Sequence, residues 1–222
     1  MRDVASRAYK LIVFDWDGTL SDSTALIARS LQAALRDMGE PVPDDAAARF
    51  VIGLGLIDAL RTVAPGLPAA RQRELSAHYR KHFLAAEDTI PLFEGAVGLL
   101  DELEQAGYFI AVATGKSRAG LDRALAQNRL AGRFHATRCA DEGRPKPHPD
   151  MLLHLIDYLG VTPRETLMIG DTTHDLELAR NAGAQAIAVA YGAHDLEGLM
   201  RLAPLATVHS IGELREWLHR YG

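Results

Sequence analysis

The strongest chemical signal in this chain is a pair of aspartates two positions apart. Asp15 and Asp17 follow directly on the apolar run 11–14, and Gly18 comes next. If the run is a buried strand, its carboxyl end aims both carboxylates at the ligand-binding edge of a sheet, and the glycine lets the backbone turn sharply there. Such a pair can supply a nucleophile and a general acid or base. The alternative is an ordinary Asp-Gly turn after a strand.

A second acidic segment repeats this placement. Asp171 and Asp175 come directly after the apolar run 166–169, so they can converge with Asp15 at one sheet edge. Carboxylates crowded in one cleft raise one another's pKa unless a cation joins them. Oxygen ligands without a matching set of cysteines or histidines favour Mg²⁺ over zinc or copper. The alternative is a plain helix cap formed by Asp171 or Thr173.

Two further segments carry groups suited to phosphate. Thr114, Gly115 and Lys116 follow the apolar run 108–113, and they offer a hydroxyl and free backbone amides at the start of a helix. Lys146 lies in a turn rich in proline, which fixes the direction of its ammonium group. Buried beside carboxylates, this lysine would bind phosphate as a point charge. A solvated loop lysine is the alternative.

The elements that position these residues follow from the hydrophobic pattern. Short apolar runs without alternation predict strands buried on both faces, at 11–14, 108–113, 166–169 and 185–189. Helical segments separate the last three, and starts are indicated at Ser117 and at Pro149. Ser210 and Glu213 fit a capping box for a C-terminal helix. Alternating strands and helices predict an α/β fold with a doubly wound parallel sheet.

The stretch from 21 to 90 breaks this alternation because it contains only helical patterns. The predicted helices span 25–38, 46–52, 56–63 and 69–86. Glycines and prolines separate them, and a further glycine and proline cluster follows at 91–95. We therefore expect an all-helical cap domain at 21–90 and a Rossmann-like core formed by 1–20 and 91–222.

The composition restricts the class of protein. Apolar residues make up 48% of the 222 residues and the formal net charge is −5, so a real core is expected and no basic surplus exists for nucleic acid or anionic lipid. The one cysteine, Cys139, indicates a reducing compartment. No apolar run approaches the roughly 20 residues of a membrane helix. We expect a cytoplasmic monomer or homodimer without nucleic acid or membrane partners.

Taken in order, these motifs resemble those of a known superfamily. The aspartate pair, the strand-end threonine, the isolated lysine and the Gly-Asp-x-x-x-Asp segment resemble the four motifs of haloacid dehalogenase superfamily hydrolases. The resemblance covers nearly the whole chain, because the helical stretch corresponds to the cap that follows the first motif. The spacing of the motifs suits the phosphoglycolate phosphatase-like branch.

The resemblance implies a phosphatase that works through an aspartyl phosphate. It makes Asp15 the nucleophile, and it makes Asp17 first the general acid and then the general base. Thr114 and Lys146 would hold the phosphoryl oxygens. An aspartate at the position of Asp17 marks a phosphatase or phosphomutase within the superfamily. One departure is Gly115, which stands where the family often has asparagine.

The same resemblance implies a Mg²⁺ site and a substrate site. Mg²⁺ would be held by Asp15, the backbone carbonyl of Asp17, Asp171 and Asp175, the last directly or through water. Candidate substrate-binding residues are Gly18, Thr19, Arg49, Gly53, Gly55, Gly115 and Lys116. Of these, Lys116 and Arg49 could bind a substrate carboxylate.

The expected substrate is a small phosphorylated metabolite, and the leading candidate is 2-phosphoglycolate or a similar acid phosphate. A cap over the site favours small molecules over phosphoproteins or nucleic acid. A β-phosphoglucomutase-like phosphomutase, a pyrophosphatase and a nucleotidase remain open on the same motifs. A non-catalytic, receiver-like metal-binding module is the alternative from a different class.

Overall fold

A single parallel sheet forms the centre of the molecule. The computed structural model describes residues 8–222, so the predicted core segment 1–20 is seen from residue 8 onward. Six strands pair in the order β3-β2-β1-β4-β5-β6, and every pairing is parallel. The strands are β1 (Leu11–Phe14), β2 (Phe109–Thr114), β3 (Ala136–Cys139), β4 (Thr166–Gly170), β5 (Gln185–Val189) and β6 (Ala206–Val208). The predicted α/β class with a parallel sheet is confirmed.

Ten α-helices connect the strands and cover the sheet within the described residues. They are α1 (Thr24–Asp37), α2 (Asp45–Phe50), α3 (Leu56–Val63), α4 (Ala69–Leu84), α5 (Ala96–Gln105), α6 (Arg118–Gln127), α7 (Asp150–Leu159), α8 (Thr173–Ala182), α9 (Leu196–Arg201) and α10 (Ile211–Tyr221). Two short 3₁₀ turns, Glu87–Thr89 and Pro163–Glu165, complete the elements.

Two strands and one capping detail differ from the sequence prediction. The sequence analysis missed β3 and β6, because each has at most four residues and neither is an apolar run. Ser117 and Ser210 cap α6 and α10 through their hydroxyls, as predicted. The predicted capping box of α10 is wrong, because the Glu213 carboxylate accepts a hydrogen bond from the backbone N–H of His209 rather than from that of Ser210.

Apolar side chains cover both faces of the sheet, which explains the absence of alternation in the strand sequences. In β1, Ile12 and Phe14 belong to the cluster that packs α5, α6 and α10 against the sheet. Leu11 and Val13 point to the other face and pack with α7 and α8. Trp16, between the two aspartates, is buried in the first of these clusters. The strand is thereby fixed on both sides at the point where it delivers Asp15.

Helices α1 to α4, which we call the helical insert, pack around an apolar cluster of their own. Its members come from all four helices and include Leu31, Leu35, Ala48, Leu60 and Leu75. Contacts between α1 and α4, between α1 and α2 and between α3 and α4 join the four helices of the insert. Apart from two isolated β-bridges at Ser21, this stretch contains only helices and the loops between them, and its description as a separate cap domain at 21–90 remains a prediction.

No helix among residues 8–222 combines the length and the apolar character that are needed to cross a bilayer.

Candidate active site

The two acidic segments meet at the carboxyl edge of the sheet. Strand β1 lies between β2 and β4, and Phe14 pairs with Val112 on one side and Ile169 on the other. The backbone N–H of Asp15 continues the ladder by donating to the Ile169 carbonyl at 2.9 Å. Asp15 and the residues after β4 are therefore neighbours across adjacent strands, which is the arrangement that the strand-end positions predict.

Lys146 lies between two of these carboxylates. Its Nζ is 2.7 Å from Asp15 Oδ1 and 2.6 Å from Asp175 Oδ1, and its side chain is fully buried. Burial alone would lower the pKa of the ammonium group, but the negative charges of Asp15 and Asp175 outweigh it and raise that pKa above its ordinary value. The structure therefore holds a permanent positive charge beside Asp15, instead of a solvated loop lysine.

Three buried carboxylates form a cluster beside this lysine. One oxygen each of Asp15, Asp171 and Asp175 lies within 4.8 Å of the others. Burial raises the pKa of Asp15 to about 7, although the Lys146 charge opposes this shift. Burial, and then the charge of Asp15, raise the pKa of Asp171 well above its usual range. Asp15 Oδ2 is buried without a hydrogen-bond partner among residues 8–222. An all-oxygen set of this kind fits a hard divalent cation such as Mg²⁺.

Asp171 is held in position by short contacts on both of its oxygens. The Thr19 hydroxyl donates to Oδ1 at 2.9 Å, and the backbone N–H of Ala193 donates to Oδ2 at 2.7 Å. Gly18 has φ +86°, and a Cβ there would lie 2.1 Å from Asp171 Oδ2. Gly18 and Thr19, which the sequence analysis assigned to substrate, therefore contact the Asp171 carboxylate.

Asp175 is fixed by the start of helix α8. The backbone N–H and the hydroxyl of Thr172 donate to Asp175 Oδ2 at 3.1 and 2.7 Å, and the Thr172 hydroxyl accepts from the Asp175 N–H. The alternative that Asp171 or Thr173 caps this helix is wrong, because Thr172 is the capping residue. Asp175 thus orients Lys146 through one oxygen and closes a capping box through the other.

Asp17 lies apart from the acidic cluster. Its Oδ1 accepts a hydrogen bond from the Ser23 hydroxyl at 2.6 Å and lies 3.1 Å from Lys116 Nζ. The Lys116 ammonium group also lies over the Phe83 ring, 4.9 Å from its centroid. Among residues 8–222 no hydrogen bond to Asp17 Oδ2 is recorded, and the side chain borders the cavity described below. The Asp17 carboxylate is thus held by one oxygen beside an open space.

Thr114 and Gly115 end strand β2 at the same sheet edge. The Thr114 side chain is buried, and its hydroxyl accepts the backbone N–H of Lys116 at 3.2 Å. A Cβ at Gly115 would lie 2.5 Å from the Leu54 carbonyl oxygen and 2.6 Å from that of Gly53. The insert backbone therefore occupies the space that a side chain at position 115 would need. This contact explains why glycine stands where the resemblance predicts asparagine.

A cavity of about 520 Å³ separates the helical insert from this edge of the sheet. Gly53, Gly55, Gly115 and Lys116 line it, and their role in substrate binding stays a prediction. Arg49, by contrast, is not part of its wall, and its guanidinium donates to the Thr24 hydroxyl at 3.1 Å. The structure thus gives Arg49 a neighbour other than a substrate carboxylate.

The sequence analysis missed several residues of the cavity wall. Tyr79 and Phe83 lie one turn apart on α4 with stacked rings, and Glu87 follows in the next turn. Glu87 Oε2 accepts a hydrogen bond from Arg123 Nε at 3.0 Å. The spacing of the two aromatic residues is a signal for one helix face, but it is typical of any packed helix.

Two histidines join the insert to the core on another side of the site. The Nε2 atoms of His174 and His194 each lie 3.0 Å from the Phe50 carbonyl oxygen at the end of α2. The Phe50 ring stacks on His194, with 5.1 Å between the centroids. Burial, together with the nearby His174, lowers the pKa of His194. A neutral ring can donate through Nε2 while its Nδ1 accepts the Thr173 N–H.

Comparison with known proteins places this fold and site in one enzyme family. The family described as haloacid dehalogenase-like hydrolase matches residues 12–189. "Probable phosphatase IndB" of Dickeya dadantii is 36% identical over 92% of this chain and 91% of its own length. A "Phosphoglycolate phosphatase" of Aliivibrio fischeri is 32% identical over 82% of this chain and 85% of its own length.

Solved structures give the same answer. The crystal structure of a predicted phosphatase from Clostridium acetobutylicum superposes with a TM-score of 0.84 at 25% identity, covering 96% of this chain and 99% of that one. The fold and the site define a phosphoric monoester hydrolase. The chain belongs to the haloacid dehalogenase-like hydrolases and is similar to the phosphoglycolate phosphatases among them.

Proposed function

We propose that this protein is a Mg²⁺-dependent phosphatase that hydrolyses a small phosphate monoester through a phosphorylated Asp15. The observation that carries the proposal is the state of Asp15. Its Oδ1 is held by a buried ammonium group, and its Oδ2 is buried without a partner among residues 8–222. A buried polar atom without a hydrogen-bond partner is typical of a group that binds an ion or takes part in catalysis.

The chemical steps follow from the positions of the two aspartates. An Asp15 oxygen attacks phosphorus, and the bond between phosphorus and the leaving oxygen breaks as Asp17 gives that oxygen a proton. Water then attacks the phosphorus of the aspartyl phosphate and gives a proton to Asp17. The bond between phosphorus and Asp15 breaks in this step, so phosphate is released and Asp15 is restored. Lys146 and Thr114 stabilise the charge on the phosphoryl oxygens. Ser23 keeps the Asp17 carboxylate in place through both steps.

Asp15, Asp171 and Asp175 are the residues that would hold Mg²⁺, and the side chain of Asp17 is not part of that cluster. When bound, the cation would offset the repulsion among these carboxylates and neutralise charge on the transferring phosphoryl group. Asp175 already bonds Lys146 and Thr172 through its two oxygens. This engagement favours contact of Asp175 with the cation through water.

The first experiment is the substitution Asp15→Asn, assayed on p-nitrophenyl phosphate with and without Mg²⁺. A neutral amide is a poor nucleophile and a weaker cation ligand, so we expect activity to fall by at least about 10⁴-fold. The matched control is Asp157→Asn, because Asp157 is exposed on α7. Intact-protein mass after rapid quenching should show a phosphorylated species in the wild type and in Asp157→Asn, and none in Asp15→Asn. Near-normal, EDTA-sensitive turnover by Asp15→Asn would falsify the mechanism.

The substrate of this reaction is proposed at the level of a phosphate monoester. The name of the Aliivibrio fischeri relative supports a small acid phosphate such as 2-phosphoglycolate, and this substrate stays a prediction. The two cations considered for its carboxylate are engaged elsewhere. Lys116 pairs with Asp17, and Arg49 bonds Thr24 outside the cavity wall.

A further inference from the structure

The cavity beside Asp17 is the space into which the leaving group of a substrate must extend. Asp17 borders it, whereas Asp15 and the other residues of the acidic cluster do not. A general acid must lie within hydrogen-bond reach of the leaving oxygen. The alcohol portion of the substrate therefore lies on the cavity side of Asp17. Its chemistry must match the cavity wall.

The volume of this cavity is larger than that of a two-carbon acid such as the glycolate portion of 2-phosphoglycolate. Its volume is about 520 Å³, and a water molecule in the liquid occupies roughly 30 Å³. The cavity thus lies within the range of roughly 300–1,000 Å³ that is typical of pockets for larger organic ligands. Burying a small, strongly hydrated acid would leave most of this space without contacts.

The wall of the cavity is mainly apolar. The helical insert contributes aliphatic side chains from α1, from the α2–α3 loop and from α3, and two aromatic rings from α4. These residues are Ile27, Leu31, Val51, Ile52, Leu54, Leu56, Ile57, Leu60, Tyr79 and Phe83. Such a wall gains free energy from removing an apolar ligand surface from water. Its aliphatic side chains offer a carboxylate no compensating hydrogen bonds.

The charged residues on the wall include one more carboxylate than cations, and the cation without an ion pair among residues 8–222, Arg80, is exposed. Four carboxylates and three cations line the cavity: Asp17, Asp58, Glu87, Asp141, Arg80, Lys116 and Arg123. Lys116 is paired with Asp17, and Arg123 is paired with Glu87. The remaining oxygen of Glu87, Oε1, is buried without a hydrogen-bond partner among residues 8–222. That oxygen would repel a carboxylate brought into the cavity.

The hydroxyl group of Tyr79 lies near the negative charges of Asp17 and Glu87. Burial raises the pKa of the Tyr79 hydroxyl above its ordinary value, and the negative charges of Asp17 and Glu87 raise it further. Tyr79 therefore stays neutral, and its ring adds apolar surface to the wall without adding a negative charge.

We propose that this enzyme prefers phosphate monoesters whose leaving alcohol is ring-sized, uncharged and largely apolar, and that Glu87 discriminates against leaving groups that carry a carboxylate. This inference rests on the proposed phosphatase function. It assigns the cavity as the leaving-group site, and it makes Glu87 a specificity-determining residue.

The test compares benzyl phosphate, ethyl phosphate and 2-phosphoglycolate with the purified protein and Mg²⁺. All three esters release an alkyl alcohol, so leaving-group reactivity differs far less among them than between any of them and an aryl phosphate. We expect kcat/KM for benzyl phosphate to exceed the values for the other two by about tenfold or more. An equal or higher kcat/KM for 2-phosphoglycolate would overturn the inference and leave the phosphatase function intact. Absence of hydrolysis for all three and for p-nitrophenyl phosphate would instead overturn the proposed function.

Two variants locate the preference on the wall. Leu54→Trp should reduce the cavity and lower kcat/KM for benzyl phosphate at least about fivefold more than for ethyl phosphate. Leu153→Trp is its control, because Leu153 is exposed on α7 and away from the cavity. A loss of the same size on both esters would show that Leu54 does not border the leaving group.

Glu87→Gln tests the electrostatic part without changing the side-chain size. It removes a buried negative charge and releases Arg123 from its ion pair. We expect the ratio of kcat/KM for 2-phosphoglycolate to that for benzyl phosphate to rise by about fivefold or more, whereas the exposed control Glu216→Gln leaves the ratio unchanged. An unchanged or lower ratio in Glu87→Gln would remove Glu87 from the specificity role.

Discussion

The contact between Gly115 and the helical insert gives the most quantitative prediction. In Gly115→Ala the new Cβ would lie 2.5 Å from the Leu54 carbonyl oxygen, whereas ordinary contacts begin at 3.4 Å. The insert backbone must therefore withdraw by about 0.9 Å, since a carbonyl oxygen cannot rotate away as a side chain can. A misplacement of roughly 1 Å in a catalytic geometry can cost about 100-fold in rate.

We expect Gly115→Ala to lower kcat/KM about 10- to 100-fold on any hydrolysed ester, because the insert can no longer close the cavity. Gly115 does not have a positive φ, so the substitution introduces no backbone strain of its own. Hydrogen exchange at residues 51–55 should become faster in the variant, which would report the looser contact directly.

Gly98→Ala is the matched control, because Gly98 is exposed within α5 and a Cβ there would meet nothing within 4 Å. It should keep full activity and gain up to about 1 kcal/mol of stability from helix propensity. If Gly115→Ala keeps kcat/KM within threefold of the wild type, the insert does not need this contact for catalysis.

Two further predictions concern Asp17 and the acidic cluster. Asp17→Asn should lower kcat/KM on benzyl phosphate by about 10²–10⁴-fold and on p-nitrophenyl phosphate much less, because kcat/KM reports the attack by Asp15 and p-nitrophenolate leaves without a proton; equal losses of kcat/KM would argue against the general-acid role. The pKa of Asp15 is raised from 3.8 to about 7 in the folded protein. Between these two pH values, Asp15 is therefore protonated in the metal-free folded protein and ionised in the unfolded chain. Its stability should fall as pH rises through that window, and Mg²⁺ should raise Tm more at pH 8 than at pH 5.5. Thermal unfolding with and without Mg²⁺ measures both effects, and an equal Tm gain at the two pH values would contradict the shift.

The convergence of the acidic residues could be predicted from sequence because it depends on local patterns. A buried strand delivers the next residue to one edge of a parallel sheet, so Asp15 and Asp171 could be placed from the apolar runs alone. The same logic failed for β3, whose sequence Ala-Thr-Arg-Cys carries no apolar run. Short edge strands of this kind are defined by their neighbours rather than by their own composition.

The cavity wall and the other contacts between the helical insert and the core could not be predicted, because they depend on how these two parts pack together. Glu87 meets Arg123 across 36 positions of sequence, and Phe50 meets His194 across 144. Neither pair has a local spacing that marks it. Gly115 is the exception, since its departure from the family asparagine was visible in the sequence, but only the contact with Leu54 gives that departure a physical reason.

The core and the helical insert supply different parts of the site, and this explains how the same catalytic residues can serve different substrates. The residues that would bind the cation and the phosphoryl group lie at strand ends of the sheet, in its loops or in the first turn of α8, and they are fixed by contacts within the core. The leaving-group wall comes mainly from the helical insert. A substitution on that wall changes which alcohol is bound without moving Asp15 or Lys146. Asp17 lies at the boundary, and so the insert affects catalysis chiefly through the place where the leaving oxygen receives its proton.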